Sequence, residues 1–160
     1  MKRGSTWFLK VAVFVIGTPV LAACIFLLPS IAKDVAEGGS EWAWVIYSLF
    51  IIMYVSAIPF FIALFQAFKL LSYIDKNKAF SQLSVTALKK IKYCATIIAG
   101  LYVFALPLFY IFADIDDAPG VVIVGMMFVF APLVIAVFAA VLQKLLKEAI
   151  DIKSENDLTV

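Results

Sequence analysis

Few side chains in this sequence could do chemistry. Asp114, Asp116 and Asp117 crowd one short connection, and with Glu37 or Glu41 from another they could gather oxygen ligands for a divalent cation. The plainer role for such carboxylates is to stay solvated, with Asp116 or Asp117 capping the helix that follows Pro119. Cys24 and Cys94 fall at different depths of their helices, which argues against a disulfide and for two buried apolar thiols. Histidine is absent. Without it, and without a Ser–base or carboxylate constellation at an interface, no catalytic residue, cofactor or metal centre is expected, and the chain is not read as an enzyme.

The elements that must position these groups are four uncharged apolar stretches, about 11–32, 42–68, 93–112 and 121–142. At about 1.5 Å per residue each can cross a hydrocarbon layer about 30 Å thick. The composition agrees: 65% of residues are hydrophobic and 15% charged, and the mean hydropathy is +1.08. That leaves too little polar surface to cover a soluble globule. The expected fold is an all-α membrane protein, residues 1–160 forming a single integral membrane domain of four transmembrane helices in an up-down bundle. No Asp, Glu, Lys or Arg lies inside a span, so proton or ion coupling lacks its usual intramembrane carboxylate.

Charge sets the expected orientation. Lys2, Arg3 and Lys10 precede the first span, six lysines lie in the loop 69–92 and three in the tail 143–160, whereas the other two connections hold only Lys33. The positive-inside rule therefore puts both termini on the cytoplasmic side of the membrane. Trp7, Trp42 and Trp44 sit at span ends, where an indole is half wet. A competing reading takes Leu21-Ala22-Ala23-Cys24 as a lipoprotein cleavage site with Cys24 as the lipidated residue. Against it, Ile25-Phe26-Leu27-Leu28 continue the apolar run.

Each span contains a proline: Pro19, Pro59, Pro107 and Pro132. Each deletes a helical hydrogen bond, and Ser56, Thr18 or a neighbouring helix could satisfy the freed carbonyls. Kinked helices around Gln66, the most polar embedded group, would suit a small transporter or an export or immunity subunit giving tolerance to a membrane-active compound. Proline is also common in ordinary membrane helices, and an amide near an interface more often bonds a neighbouring helix than a substrate. Small residues mark expected helix contacts: Ala95 with Ala99 and Thr96 with Gly100 in span three, Ala136 with Ala140 in span four, Gly17 with Ala22 in span one. A faint echo of residues 62–67 in 135–140 would fit an old duplication or chance.

Between spans two and three, Phe80-Ser81 followed by Val85, Leu88 and Ile91 predicts an N-cap with a Phe80–Val85 staple and a short amphipathic cytosolic helix, flanked by Lys89, Lys90 and Lys92, that lies at the inner interface and runs into span three. That helix could bind anionic lipid or an acidic partner, or simply anchor the inner side. The chain ends in Glu155-Asn156-Asp157-Leu158-Thr159-Val160 after a Leu-rich helix end. Together with Ile74-Asp75-Lys76-Asn77-Lys78-Ala79-Phe80-Ser81, this ending resembles a family of small four-span bacterial membrane proteins catalogued only as a domain of unknown function. The resemblance covers nearly the whole chain. It implies a regulated operon, since members are often encoded beside a small helix-turn-helix regulator, and it transfers no activity. A glycine usual near the end of the last helix is replaced here by Glu148-Ala149-Ile150-Asp151.

The expected role is a regulatory or interaction component acting through its cytosolic loop and tail. The candidate residues are Phe80, Ser81, Leu88 and Ile91 with Glu155, Asn156, Asp157, Leu158 and Thr159, and the kink and polar candidates are Pro59, Gln66, Pro107 and Pro132. The partners expected are the lipid bilayer and a membrane-protein or cytosolic regulatory partner, with no direct nucleic-acid binding.

Overall fold

A computed structural model describes residues 3–39 and 41–158, with side chains throughout these ranges except at residues 3–5 and 157. Every element in it is a helix: α1 (Arg3–Ala22), a π turn (Ala23–Leu27), α2 (Leu28–Gly38), α3 (Ala43–Asp75), α4 (Gln82–Ile115) and α5 (Gly120–Leu158). With α1, the π turn and α2 counted as one rod, four helices are long and apolar enough to cross a membrane. Rings stand in the open along them, Phe104 being 82% exposed. Such exposure suits hydrocarbon as the surrounding solvent.

The helices run well past the uncharged stretches. α3 continues to Asp75 and α4 already begins at Gln82, so the expected loop 69–92 shrinks to the turn Lys76–Ser81. The Val85, Leu88, Ile91 pattern lies in the first turns of α4, continuous with span three. Both turns after the long helices reverse through a residue in the left-handed region, Asn77 (φ 59°) and Asp117 (φ 50°). Asn and Asp tolerate this conformation better than most side chains. After α3, the Asn77 N–H bonds the Ile74 carbonyl (3.1 Å) and the Lys78 N–H the Tyr73 carbonyl (2.7 Å), which satisfies the carbonyls a helix end leaves open. Ala118 N–H to Ala113 O (2.9 Å) repeats the device after α4. Asp116 and Asp117 therefore terminate α4 and do not cap α5.

Helix pairing follows the chain. α1 packs on α3, α3 on α4 and α4 on α5, and no pairing of comparable extent joins α5 back to α1 or α3. The core lies in the α3–α4–α5 half, built from Val45, Leu49, Tyr102, Ala105, Phe109 and Val129. Tyr102 ties its parts together. Its ring stacks on Phe128 of α5 at 5.1 Å, and its hydroxyl meets Ser56 Oγ of α3 at 2.8 Å. Because Ser56 also donates to the Met53 carbonyl (2.8 Å), Tyr102 is the donor in that pair.

The small-residue expectation holds in part. Ala95, Ala99, Ala136 and Gly17 are buried, while Ala140 is half-buried and Thr96 and Ala22 are exposed. Nothing lies within 4 Å of a methyl placed at Gly100. The tightest approach falls at Gly125, where an added Cβ would sit 2.9 Å from the Phe109 ring.

Candidate functional site

The α1–α3 pairing is closed by polar contacts at its two ends. At one end Asp75, the last residue of α3, accepts from Thr6 Oγ1 and pairs with Lys10 Nζ at 2.7 Å. Thr6 is fully buried, and the Lys10 and Asp75 side chains are about one-fifth exposed, so this pair is shielded more than a surface ion pair. At the other end lies the π turn. The Leu28 N–H bonds back to the Ala23 carbonyl, and the next residue, Pro29, has no N–H to offer. The Cys24 carbonyl thus loses its helical donor in either register, and Tyr54 Oη of α3 supplies one at 2.6 Å.

The expected proline partners differ from this. Thr18 Oγ1 donates to the Phe14 carbonyl (2.7 Å) and Ser56 Oγ to that of Met53, so neither reaches the carbonyls freed by Pro19 and Pro59, those of Val15 and Val55. The four prolines sit within continuous helices. They do not converge on one path: Pro19 and Pro107 are exposed, and Pro59 and Pro132 are half-buried. Gln66 is buried on α3.

The turn Lys76–Ser81 is held from within. Ser81 stands at the N-cap position of α4, but its hydroxyl donates to the Lys78 carbonyl (2.5 Å), and Ser84 Oγ donates to the same carbonyl (3.2 Å). The third and fourth α4 amides, of Ser84 and Val85, bond the Ser81 carbonyl. This corrects the expected side-chain cap: the chain reversal at Asn77 leaves the Lys78 carbonyl nearer to the hydroxyl. Phe80 is 57% exposed, which leaves the expected staple open. Leu88 is buried and Ile91 half-buried, so Leu88 serves the packing of α4 between α3 and α5 rather than a free surface.

The tail is a direct continuation of α5. This helix has 39 residues, about 58 Å at the usual rise and well beyond a hydrocarbon layer of about 30 Å. Carrying the Tyr102–Phe128 register down the two helices at equal rise puts Gln82 level with about residue 148. Every described side chain from Asp151 to Leu158 is exposed, including Ile152, Glu155, Asn156 and Leu158. Asp157 is helical in backbone, and Thr159 lies outside the described residues. No three His, Cys, Asp or Glu side chains among the described residues form a metal-holding group. Cys24 (half-buried) and Cys94 (buried) are unpaired.

Sequence reasoning missed Thr6, Lys10, Tyr54, Pro29 and Gly125 as positioning residues. The signals for Pro29 and Gly125 were present as a second proline near the end of the first apolar run and a lone glycine inside the fourth. Those for Asp75 with Lys10 and for Tyr54 with Cys24 were not, because the partners are 65 and 30 residues apart.

Long apolar helices with exposed rings and charge restricted to their ends define a membrane protein with four candidate spans. The chain belongs to the family described as "Protein of unknown function (DUF2975)", whose model matches residues 30–160 and leaves α1 and the π turn outside the matched stretch. It is 64% identical over 160 residues, covering all of both chains, to "Uncharacterized membrane protein YoaS" of Bacillus subtilis (strain 168). No solved structure matches it.

Proposed function

We propose that this protein is an interaction component of the bacterial inner membrane, with no catalytic role, that engages a membrane-protein or cytosolic regulatory partner through the turn around Phe80 and the projecting end of α5. The observation that carries this reading is the exposed, helical run from Asp151 to Leu158, which presents Ile152 and Leu158 beyond the level where α4 begins. Ile152 follows the exposed Leu145 by seven residues and so shares its helix face, a spacing that suits helix-in-groove recognition. In this reading the helices alternate up and down, the lysine-rich ends face the cytoplasm with both termini, and the first turns of α4 form the amphipathic element at the interface.

The test is in-cell crosslinking of the tagged full chain, mild extraction and mass spectrometry of what copurifies. A stoichiometric partner lost from a chain ending at residue 150 and retained by Leu88→Ala supports the reading. Recovery of the same partner without residues 151–160 would remove it.

A further inference from the structure

Between the two polar closures of the α1–α3 pair, an apolar groove of about 390 Å³ runs along the helix contact, lined by Phe14, Gly17, Leu21, Phe61, Leu64 and Phe68 among others. We propose that this groove holds an acyl chain of an anionic phospholipid from the leaflet on the lysine-rich side, with its phosphate between Lys69 and Lys10. The inference goes beyond the partner reading and does not depend on it.

The depth fits one leaflet. From Lys10 to Leu21 the α1 axis rises about 16 Å, close to half of a hydrocarbon layer about 30 Å thick. Gly17 sets the floor: a methyl there would lie 3.1 Å from Leu64 Cδ1, so the two helices touch at this level and the groove runs along the contact. Its walls are rings, with Phe14 and Phe68 edge to face at 5.8 Å. The one hydroxyl in the lining, on Thr18, is bonded back to the Phe14 carbonyl, so the lining makes little polar demand on an occupant.

Charge selects the occupant. Lys69 Nζ stands 4.8 Å from the centroid of Phe65 and Lys10 Nζ 5.3 Å from that of Phe68, and both rings belong to the groove lining. Asp75 neutralises one ammonium through Lys10, which leaves a net positive mouth. A second copy of the chain would have to bring a carboxylate to the same depth, whereas a phospholipid carries its anion there by construction.

The experiment is native mass spectrometry of the intact, delipidated protein titrated with phosphatidylglycerol and, separately, phosphatidylcholine. The expected result is one retained phosphatidylglycerol with about a five-fold preference over phosphatidylcholine, the effect of one uncompensated lysine at the headgroup layer. Lys69→Gln abolishes the preference, the double variant Lys89→Gln/Lys90→Gln keeps it, and Val13→Trp, which fills the groove, lowers retention of both lipids. Equal retention of the two lipids would overturn the proposal, as would equal loss in the Lys89/Lys90 variant, undiminished binding to Val13→Trp, or a dimer that excludes lipid.

Discussion

The α4–α5 and α1–α3 pairs are joined by different physics. α4 and α5 meet through shape: Gly125 admits the Phe109 ring, Phe128 stacks over Phe109 at 6.4 Å and over Tyr102 at 5.1 Å, and alanines line the rest. In lipid, where apolar side chains gain nothing by leaving solvent, close van der Waals approach of this kind is the main source of helix affinity. α1 and α3 touch closely at Gly17, with the groove running along that contact, and they are closed by Asp75 with Thr6 and Lys10 at one end and Tyr54 with the Cys24 carbonyl at the other. A pair joined by its ends can keep a groove in its middle, and a pair joined by shape cannot.

The sharpest way to break this contrast is Gly125→Val. Its Cβ would sit 2.9 Å from the Phe109 ring, and overpacking at this interface should cost about 3 kcal/mol. The check is thermal unfolding in detergent, together with the double variant Gly125→Val/Phe109→Ala, which should recover much of the loss if the two sites are coupled. A tolerated single variant would mean that shape does not set the α4–α5 pair.

Asp75→Ala comes next. It strips Lys10 and buried Thr6 of a shared acceptor, with an expected cost of about 2 kcal/mol, reduced from a fully buried pair because both side chains of the ion pair retain some solvent. Proteolysis or cysteine accessibility along α1 should rise while α4 and α5 stay protected. If α1 is no more accessible, the polar closure is not what holds it.

A smaller effect, about 1 kcal/mol, is expected for Tyr54→Phe, which leaves the Cys24 carbonyl without its donor. Amide exchange should quicken around residues 23–30 and nowhere else. Least of all, about 0.6 kcal/mol, is the Ser56–Tyr102 bond, which joins helices already packed together. A cycle of Ser56→Ala and Tyr102→Phe measures its coupling, and a value exceeding that of the Asp75 closure would reverse the comparison.

How much was legible beforehand varies with the range of the interaction. The four apolar stretches lie inside the four long helices, and Ala95, Ala99 and Ala136 face neighbours as their spacing predicts. The Val85, Leu88, Ile91 spacing predicts a helix running into span three, whereas the charges of that stretch do not mark where the helix starts. In the structure α4 extends through Lys92, Lys90 and Lys89 to Gln82 without a break. Of the candidate surface, Phe80 and residues 155, 156 and 158 are exposed and Leu88 is buried, since a three-residue apolar repeat marks a buried face without naming what buries it.

What the sequence determined by itself is the solvent and the elements: hydropathy is a sum over neighbours in the chain, and a run of some twenty apolar residues leaves a bilayer-spanning helix as the only way to satisfy its backbone. What only the tertiary structure decided is the joining of those helices: the closure at Asp75, the carbonyl at Cys24 answered by Tyr54, the ring of Phe109 over Gly125, and the groove that remains between α1 and α3. Each depends on which face of one helix meets which depth of another. Spacing along a single helix does not carry that information, because close packing and hydrogen bonds are decided within about an ångström.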